Sequence, residues 1–193
     1  MTDSLQSPAT TIRYESRAHY DREAVHAILD AAYVAHVGLV GGDGRPVVIP
    51  MLYARVDETL IVHGSPATRL LRSLGRGADV CITVTLLDGL VLARSAFHHS
   101  VNYRSAVVLG RAEVVGDVDE RGRLLELLTE RVAPGRVPSL RAMTRKEAQG
   151  TSVLRVPIRE ASAKVRTGMP IDDEEDYELP IWAGVVPITT TYG

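Results

Sequence analysis

The sequence predicts a mainly β protein of the α+β type, an antiparallel β-barrel with short flanking helices. Two observations predict this fold class. Six or seven short segments are rich in apolar and β-branched residues, which is typical of strands. The early segments are joined by connections of hairpin length, which favours antiparallel pairing over a parallel sheet whose strands need long crossovers. A barrel with helices at its openings accounts for both observations.

The predicted elements follow a polar N-terminal region. We expect residues 1–19 to form a loose arm and residues 20–193 to form a single domain. Asp21 can cap a first helix, because the apolar residues after it are spaced by three and four. The acidic run at 172–176 is most simply a solvated loop. The predicted strands cover residues 34–40, 47–56, 60–63, 79–86, 90–93, 105–115 and 152–158, with a last apolar segment at 181–188.

Turn and capping signals connect these segments. An Asp-Gly dipeptide at 88–89 is the strongest hairpin signal in the chain. Ser65 can cap a short helix, and residues 119–132 have the pattern of an amphipathic helix. Thr144 and Glu147 have the spacing of a capping box, which predicts one further short helix.

Composition narrows the class of protein. The 193 residues are 45% hydrophobic and 24% charged, which is typical of a globular domain. A formal net charge of -2 gives no general attraction to nucleic acid or to an anionic membrane. The single cysteine, Cys81, excludes an internal disulfide framework. Because we recognise neither a signal peptide nor a membrane-spanning segment, we expect a cytoplasmic location without membrane or nucleic-acid partners.

Several catalytic motifs are missing from the sequence. No G-x-S-x-G nucleophile elbow occurs, and the glycines at 41–44 lack the Gly-Lys-Ser/Thr of a phosphate-binding loop. The histidines and the cysteine do not have the spacing of a zinc site. The chemistry must therefore come from less regular groups of polar residues.

Two segments could contact a ligand. The predicted strand at 47–56 contains Pro50, which cannot donate to a ladder, so neighbouring backbone groups are free to meet a planar ligand. The alternative is an ordinary edge strand. The segment at 63–69 joins a strand end to a helix start and contains Arg69, which makes it a plausible cradle for one phosphate. The alternative is a capped helix with a surface arginine.

A third segment, residues 95–105, concentrates histidine, serine, Asn, Tyr and Arg side chains between two strands. Such density is typical of a binding loop, and the alternative is a polar connection. Arg104 and Ser105 could serve a phosphate, whereas Tyr103, His98 or His99 could face a ring. The only tryptophan, near the C terminus, either packs in the core or stacks on a ring.

Together these segments resemble the flavin-nucleotide-binding split barrels related to pyridoxamine 5'-phosphate oxidase, in particular their nitroimidazole-reductase-like branch. The longest matching stretch is the most specific of them. The matching stretches are residues 20–22, 35–37, 48–51, 60–65, 80–85, 88–105, 162–168 and 179–185.

The resemblance implies a homodimer with two FMN sites at the subunit interface. It implies that backbone groups of two stretches line the isoalloxazine ring: Ile49, Pro50, Met51, Thr83, Val84 and Thr85. The residues implied along the ribityl phosphate are His63, Gly64, Ser65, Thr68 and Arg69, with Asn102, Tyr103, Arg104 and Ser105 nearby. Trp182 would cover the ring, from its own chain or from the partner.

We therefore expect an FMN-dependent oxidoreductase that acts on a small molecule, with His99 or Tyr103 on the substrate side as proton donor or wall. Two other interpretations stay open. One is a haem-binding barrel with His63 or His99 as axial ligand, because relatives of this fold include haem-utilisation proteins. The other is a non-catalytic dimeric barrel. The deazaflavin F420 is an alternative to FMN, because relatives of the barrel use it.

Overall fold

A computed structural model describes residues 4–191 of the protein. The α-helices are α1 (Arg22–Ala31), α2 (Arg69–Leu74), α3 (Val118–Val132) and α4 (Arg145–Gly150). The strands are β1 (Ala18–His19), β2 (Val34–Val40), β3 (Pro46–Val56), β4 (Thr59–Gly64), β5 (Asp79–Leu92), β6 (Ser100–Arg111), β7 (Glu113–Val114), β8 (Ser152–Pro157), β9 (Glu160–Arg166) and β10 (Gly184–Pro187).

All pairings between the named strands are antiparallel. The strand order is β1-β9-β6-β5-β2-β3-β4-β8-β7, and β10 pairs with β5 outside this path. Gly110 on β6 lies against Val156 and Pro157 of β8, which are far from it in the strand order. The sheet therefore curls into the predicted antiparallel split barrel, and the predicted fold class is confirmed.

Two hydrophobic cores hold the barrel together. The larger core fills its interior and includes Val37, Tyr53, Val62 and Ile82, which are fully buried. The smaller core lies on the outer face of β3, β4 and β8, where the apolar side of α3 covers Ile61 and its neighbours. One helix therefore shields part of the outer face, while the outer face of β2, β5 and β6 stays open to solvent.

Several local predictions are confirmed because they depend on short-range contacts. The Asp21 carboxylate accepts a hydrogen bond from the Ala24 backbone N at 2.8 Å and begins α1. The predicted strand at 34–40 is β2, and the predicted helix at 119–132 is α3. Thr144 and Glu147 form the predicted capping box at the start of α4.

The hairpin predicted at 88–89 is wrong. β5 runs through this point without turning, and its register with β6 shifts between Leu87 and Gly89, as in a β-bulge. A Cβ on Gly89 would lie 2.9 Å from Val185 Cγ1 and 3.0 Å from the Val186 carbonyl oxygen, both in β10. Glycine is required here for close approach of β10, rather than for a tight turn.

Two other local predictions need correction. Ser65 does not cap α2; the cap is Thr68, whose hydroxyl accepts from the Leu71 backbone N at 3.4 Å. The acidic run is not entirely solvated, because the Asp172 carboxylate is fully buried against Arg94. Strand β9 was missed, because its small alanine and serine residues carry a weak strand pattern.

The N-terminal region is attached to the barrel in its described part. Leu5 is 1% exposed and belongs to the larger core, and its backbone N donates to the Tyr20 carbonyl oxygen at 2.8 Å. β1, within the predicted arm, pairs with β9. Among the helices of residues 4–191, none combines the length and the apolar content that crossing a membrane requires.

Candidate functional site

The open outer face of the barrel brings the two predicted ring-lining stretches together. In the ladders, His36 on β2 lies directly between Pro50 on β3 and Thr83 on β5. Thr83 in turn lies opposite Val107 on β6. Because directly paired residues point to the same face of a sheet, these four side chains form one row across four strands.

A second row lies beside the first. Thr85 is two residues beyond Thr83 and pairs with Ser105, which pairs with Lys164 on β9. Three hydroxyl groups therefore share one patch of the outer face with the His36 imidazole. Val84 points the other way and is fully buried, so only its backbone can line a ligand.

The ladder between β2 and β5 opens next to this patch. β2 pairs with β5 only over Cys81, Ile82 and Thr83, whereas β10 pairs with the same side of β5 only from Gly89 onward. Within the described chain, no strand pairs with β5 on this side between residues 84 and 87. In an extended strand, alternate residues direct their N–H and C=O groups to each side, so this gap offers unpaired backbone donors and acceptors.

A cavity of about 430 Å³ lies on the opposite side of β3, between α2 and the turn that joins β2 to β3. Ile49, Thr68 and Arg69 of the predicted site line it. Arg69 is 77% exposed, and its Nη1 atom lies 4.0 Å from Asp43 Oδ2. The structure therefore brings the predicted phosphate residue Arg69 next to Ile49, one residue from Pro50.

The other predicted phosphate residues contribute less. The Thr68 hydroxyl donates to the Ser65 carbonyl oxygen at 3.0 Å, so its proton is already used. The Ser65 side chain accepts from the Ala67 backbone N at 3.3 Å. A Cβ on Gly64 would lie 3.3 Å from Leu71 Cδ2, and the half-buried Met51 approaches the same point. Gly64 therefore serves the packing of α2 on the barrel.

His63 does not join this group. It lines a separate cavity of about 940 Å³ between the outer face of β3 and β4, α3 and the segment at 137–143. Its Nδ1 atom is buried without a hydrogen-bond partner, and burial lowers the pKa of the imidazole. The cavity also touches Leu52, which is two residues from Pro50 on the same face of β3.

Two residues of the segment at 95–105 that were predicted near the phosphate are bound to other side chains or to backbone within the protein. Arg104 forms a two-point ion pair with Asp88, with Nε–Oδ2 and Nη2–Oδ1 distances of 2.9 and 2.7 Å. Asn102 is 8% exposed; its amide donates to the Gly168 carbonyl oxygen and accepts from Arg166. Both predicted side chains therefore already have partners inside the protein, with which a phosphate would have to compete.

The two predicted substrate-side residues, Tyr103 and His99, lie at the start of β6 and just before it. Tyr103 is half-buried, and the Lys164 ammonium lies 5.9 Å from its ring centroid. His99 is exposed, with Nδ1 2.8 Å from the Ser95 carbonyl oxygen. Tyr103 is two residues from Ser105 on β6, whereas His99 lies before that strand begins.

Trp182 is 64% exposed and lies against Gly184, where a Cβ would be 2.8 Å from the indole. Gly184 pairs with Leu92 at the end of β5. Thr83 is nine residues earlier on that strand, about 30 Å away at ~3.3 Å per residue. Within one chain, Trp182 is therefore remote from the patch around Thr83.

Sequence reasoning missed three residues of this region. His36 was part of a matching stretch but received no role, although the alternation of β2 already predicts an outward side chain at 36. Arg72 and Arg76 line the cavity beside Arg69. Arg72 is three residues after Arg69, and Arg76 is four residues after Arg72. This helical spacing was the available signal.

The fold and the site define a split-barrel protein that carries a polar patch and an unpaired strand edge on its outer face. The chain belongs to the pyridoxamine 5'-phosphate oxidase family, whose sequence profile matches residues 21–165. The family predicted from the sequence is thereby confirmed. A search of curated proteins finds no match.

Solved structures include two similar proteins at 43% sequence identity. The flavocytochrome Anf3 from Azotobacter vinelandii has a TM-score of 0.91, and the match covers 99% of this chain and 88% of that one. The FAD and heme binding protein from Mycobacterium smegmatis has a TM-score of 0.87 and coverage of 92% and 86%. A Bacteroides thetaiotaomicron protein assigned to 5-nitroimidazole antibiotic resistance shares the fold, at 24% identity, a TM-score of 0.65 and coverage of 77% and 86%.

Proposed function

We propose that this protein binds a flavin nucleotide in a cleft along residues 84–87 of β5, between the ends of its pairings with β2 and β10, and acts as a flavin-dependent oxidoreductase on a small molecule. The observation that carries the proposal is the unpaired edge of β5 at residues 84–87, next to the outer row formed by Pro50, His36 and Thr83. The polar edge of a flavin ring alternates donors and acceptors, as an open strand edge does. A flavin supplies hydride or electron chemistry that protein side chains lack.

The residues present fit a flavin nucleotide both at its ring and at its phosphate. The ring would lie against backbone of Pro50 and of residues 83–85, while Arg69 would bind a phosphate by charge-assisted hydrogen bonds. FMN, the form predicted from the sequence, contains everything these contacts require. The names of the two relatives at 43% identity, a flavocytochrome and an FAD and heme binding protein, support a redox cofactor.

A second copy of the chain is part of the proposal. Val34, Val40 and Val48 are 48–64% exposed around the polar patch, and such an apolar surface is typical of an interface. Trp182 is also exposed, and it can cover a ring at Thr83 only from a partner chain. Light scattering should therefore report a dimer, and Trp182→Ala should weaken flavin binding without dissociating that dimer.

Tyr103 and His99 remain our proposed substrate-side residues. Tyr103 is adjacent to the hydroxyl patch and to Lys164, so its phenol can donate a hydrogen bond at the wall of the cleft. His99 reaches the cleft only if the partner subunit brings it there. A cytoplasmic location also stays a prediction.

The test begins with the absorption spectrum and mass of whatever co-purifies, followed by flavin titration of the apoprotein. A blue-absorbing chromophore that bleaches with dithionite supports the proposal. Arg69→Ala should weaken flavin binding by about 1.5–3 kcal/mol, the contribution of a charge-assisted hydrogen bond. Arg123→Ala on α3, also exposed, is the matched control and should leave the affinity unchanged. A dimer that takes up no flavin refutes the proposal.

A specific observation favours a second candidate function, that of a flavocytochrome. Its haem would lie in the 940 Å³ cavity, where His63 offers a partnerless ring nitrogen and burial lowers the pKa, which favours the neutral, metal-binding imidazole. The size lies within the range of cofactor pockets. An intense Soret band that is lost in His63→Ala, with flavin retained, would establish this function; its absence after haem addition would exclude it.

A further inference from the structure

A group of positively charged residues lies two strands away from the unpaired edge of β5. Residues 84–87 of β5 pair with residues 103–106 of β6, and these pair in turn with residues 163–166 of β9. At a spacing of ~4.8 Å between neighbouring strands, β9 is about 10 Å from that edge. One small molecule on the outer face can therefore reach both the edge and the side chains of β9.

Lys164 belongs to the hydroxyl row of the outer face. It pairs with Ser105, which pairs with Thr85, so the three side chains point to the same side of the sheet. The Lys164 ammonium lies 5.9 Å from the centroid of the Tyr103 ring, and the side chain is half-buried. The lysine therefore stands beside Tyr103, the residue proposed above for the substrate side.

Two arginines add charge to the same place. Arg166 is only 9% exposed, and its guanidinium donates to the neutral side-chain oxygen of Asn102 at 2.6 Å. Arg17 is half-buried and directly precedes β1, which pairs with β9 at Lys164. Burial is the main cause that lowers the pKa of Arg166, and the positive charge of Arg17 is the next. The two guanidinium groups are thus close enough to repel each other.

These cations lack a counter-charge. In the part of the chain that the structure describes, no carboxylate forms an ion pair with Lys164, Arg166 or Arg17. Nearby on β6, Arg104 does have such a partner in Asp88. A buried charge normally has a partner of opposite sign, because its desolvation is otherwise not offset. An anion from solution would therefore bind favourably at this cluster.

We propose that the small-molecule substrate is an anion, and that Lys164 and Arg17 bind its carboxylate or equivalent oxyanion beside Tyr103, with the charge of Arg166 behind them. This inference rests on the proposed function, because it places the substrate next to the flavin cleft of β5. Its consequence is selectivity for charge: a neutral molecule of the same shape binds weakly. The other source of such an oxyanion is the phosphate of the flavin itself, and the experiment separates the two.

The test compares benzoate with its neutral analogue benzamide. Both are titrated into the flavin-loaded protein, followed by the flavin absorption spectrum, and into the apoprotein, followed by calorimetry. Benzoate should bind at least about tenfold more tightly than benzamide, as expected for hydrogen bonds to charged groups. Added salt should reduce this preference, because the site is partly exposed.

Side-chain replacements locate the binding. Lys164→Gln and Arg17→Gln should each weaken benzoate at least about fivefold while changing benzamide and flavin affinity less than about twofold. Lys146→Gln is the matched control, because Lys146 is the only other lysine of the sequence and is exposed on α4. This variant should bind benzoate as the wild type does.

The outcomes separate this inference from the proposed function. Equal affinity for benzoate and benzamide, or unchanged benzoate binding in both Lys164→Gln and Arg17→Gln, would overturn the inference and leave flavin binding intact. If Lys164→Gln weakens flavin as much as benzoate, the cluster holds the flavin phosphate, which also overturns it. A protein that takes up no flavin would overturn the proposed function; benzoate binding to that apoprotein, lost in Lys164→Gln, would still support the anion site, and its absence would overturn both.

Discussion

Replacing Asn102 by alanine separates a structural role from the ligand role that its sequence context suggests. The Asn102 side chain holds β6 to the end of β9 and to the segment after it. It accepts from Arg166 Nη1 at 2.6 Å and donates to the Gly168 carbonyl oxygen at 3.0 Å. Arg166 is 9% exposed, so alanine would leave a nearly buried guanidinium without its acceptor.

The magnitude follows from the two hydrogen bonds. The bond to the charged guanidinium contributes about 1.5–3 kcal/mol and the neutral amide bond about 0.5–1.5 kcal/mol. Asn102→Ala should therefore lower the free energy of unfolding by about 2–4 kcal/mol. For a chain of this length the melting temperature should fall by roughly 5–15 °C. Denaturant and thermal unfolding, followed by circular dichroism, measure both quantities.

Asn102→Asp is the matched variant. It keeps an oxygen for Arg166 but turns a carboxylate oxygen toward the Gly168 carbonyl oxygen, so we expect a loss smaller than that of Asn102→Ala but above zero. Flavin affinity per folded molecule should be unchanged in both variants. If Asn102→Ala melts within about 1 °C of the wild type but binds flavin tenfold more weakly, Asn102 contacts the ligand and the reasoning fails.

Three further predictions concern other parts of the structure. Gly89→Ala should destabilise the protein by about 1–3 kcal/mol, because the new Cβ meets Val185 at 2.9 Å; limited proteolysis should show early release of the C-terminal strand, and wild-type protection would contradict this. Burial lowers the pKa of the His63 imidazole in the folded protein. The stabilisation by neutral His63 is therefore complete above the unfolded-state pKa of ~6.5 and is lost as the pH falls through the lower folded-state pKa. His63→Gln should remove that part of the pH dependence of the free energy of unfolding, measured with denaturant. Tyr53→Phe deletes a buried hydrogen bond to the Leu29 carbonyl oxygen and should lower stability by about 1–3 kcal/mol in the same assay, a loss that a value near zero would refute.

Local spacing was a reliable guide where the structure depends on neighbouring residues. The Asp21 cap and the capping box at Thr144 follow from contacts within four residues, and the bounds of β2 follow from its apolar pattern and the glycine-rich turn after it. The 88–89 dipeptide shows the limit of this reasoning. A hairpin and a bulge use the same glycine, and only the arrival of β10 against β5 decides between them.

The candidate site divides in the same way. The sequence could assemble the polar stretches and the family from their composition and order. It could not tell which polar side chains already have partners inside the protein. Arg104 pairs with Asp88, which lies where the register of β5 with β6 shifts. Asn102 pairs with Arg166, which lies 64 residues later in the chain.

The sequence by itself therefore determined the antiparallel barrel, its family and the helix caps at Asp21 and Thr144, because periodicity and short-range hydrogen bonds depend on residues that are neighbours in the sequence. Tertiary structure alone decided that His63 and Arg69, six residues apart, line different cavities on opposite faces of β3, and that Trp182 lies far from Thr83 in its own chain. The physical reason is that the face and the register of each strand are set by its pairing with distant strands, and those pairings determine which side chains meet.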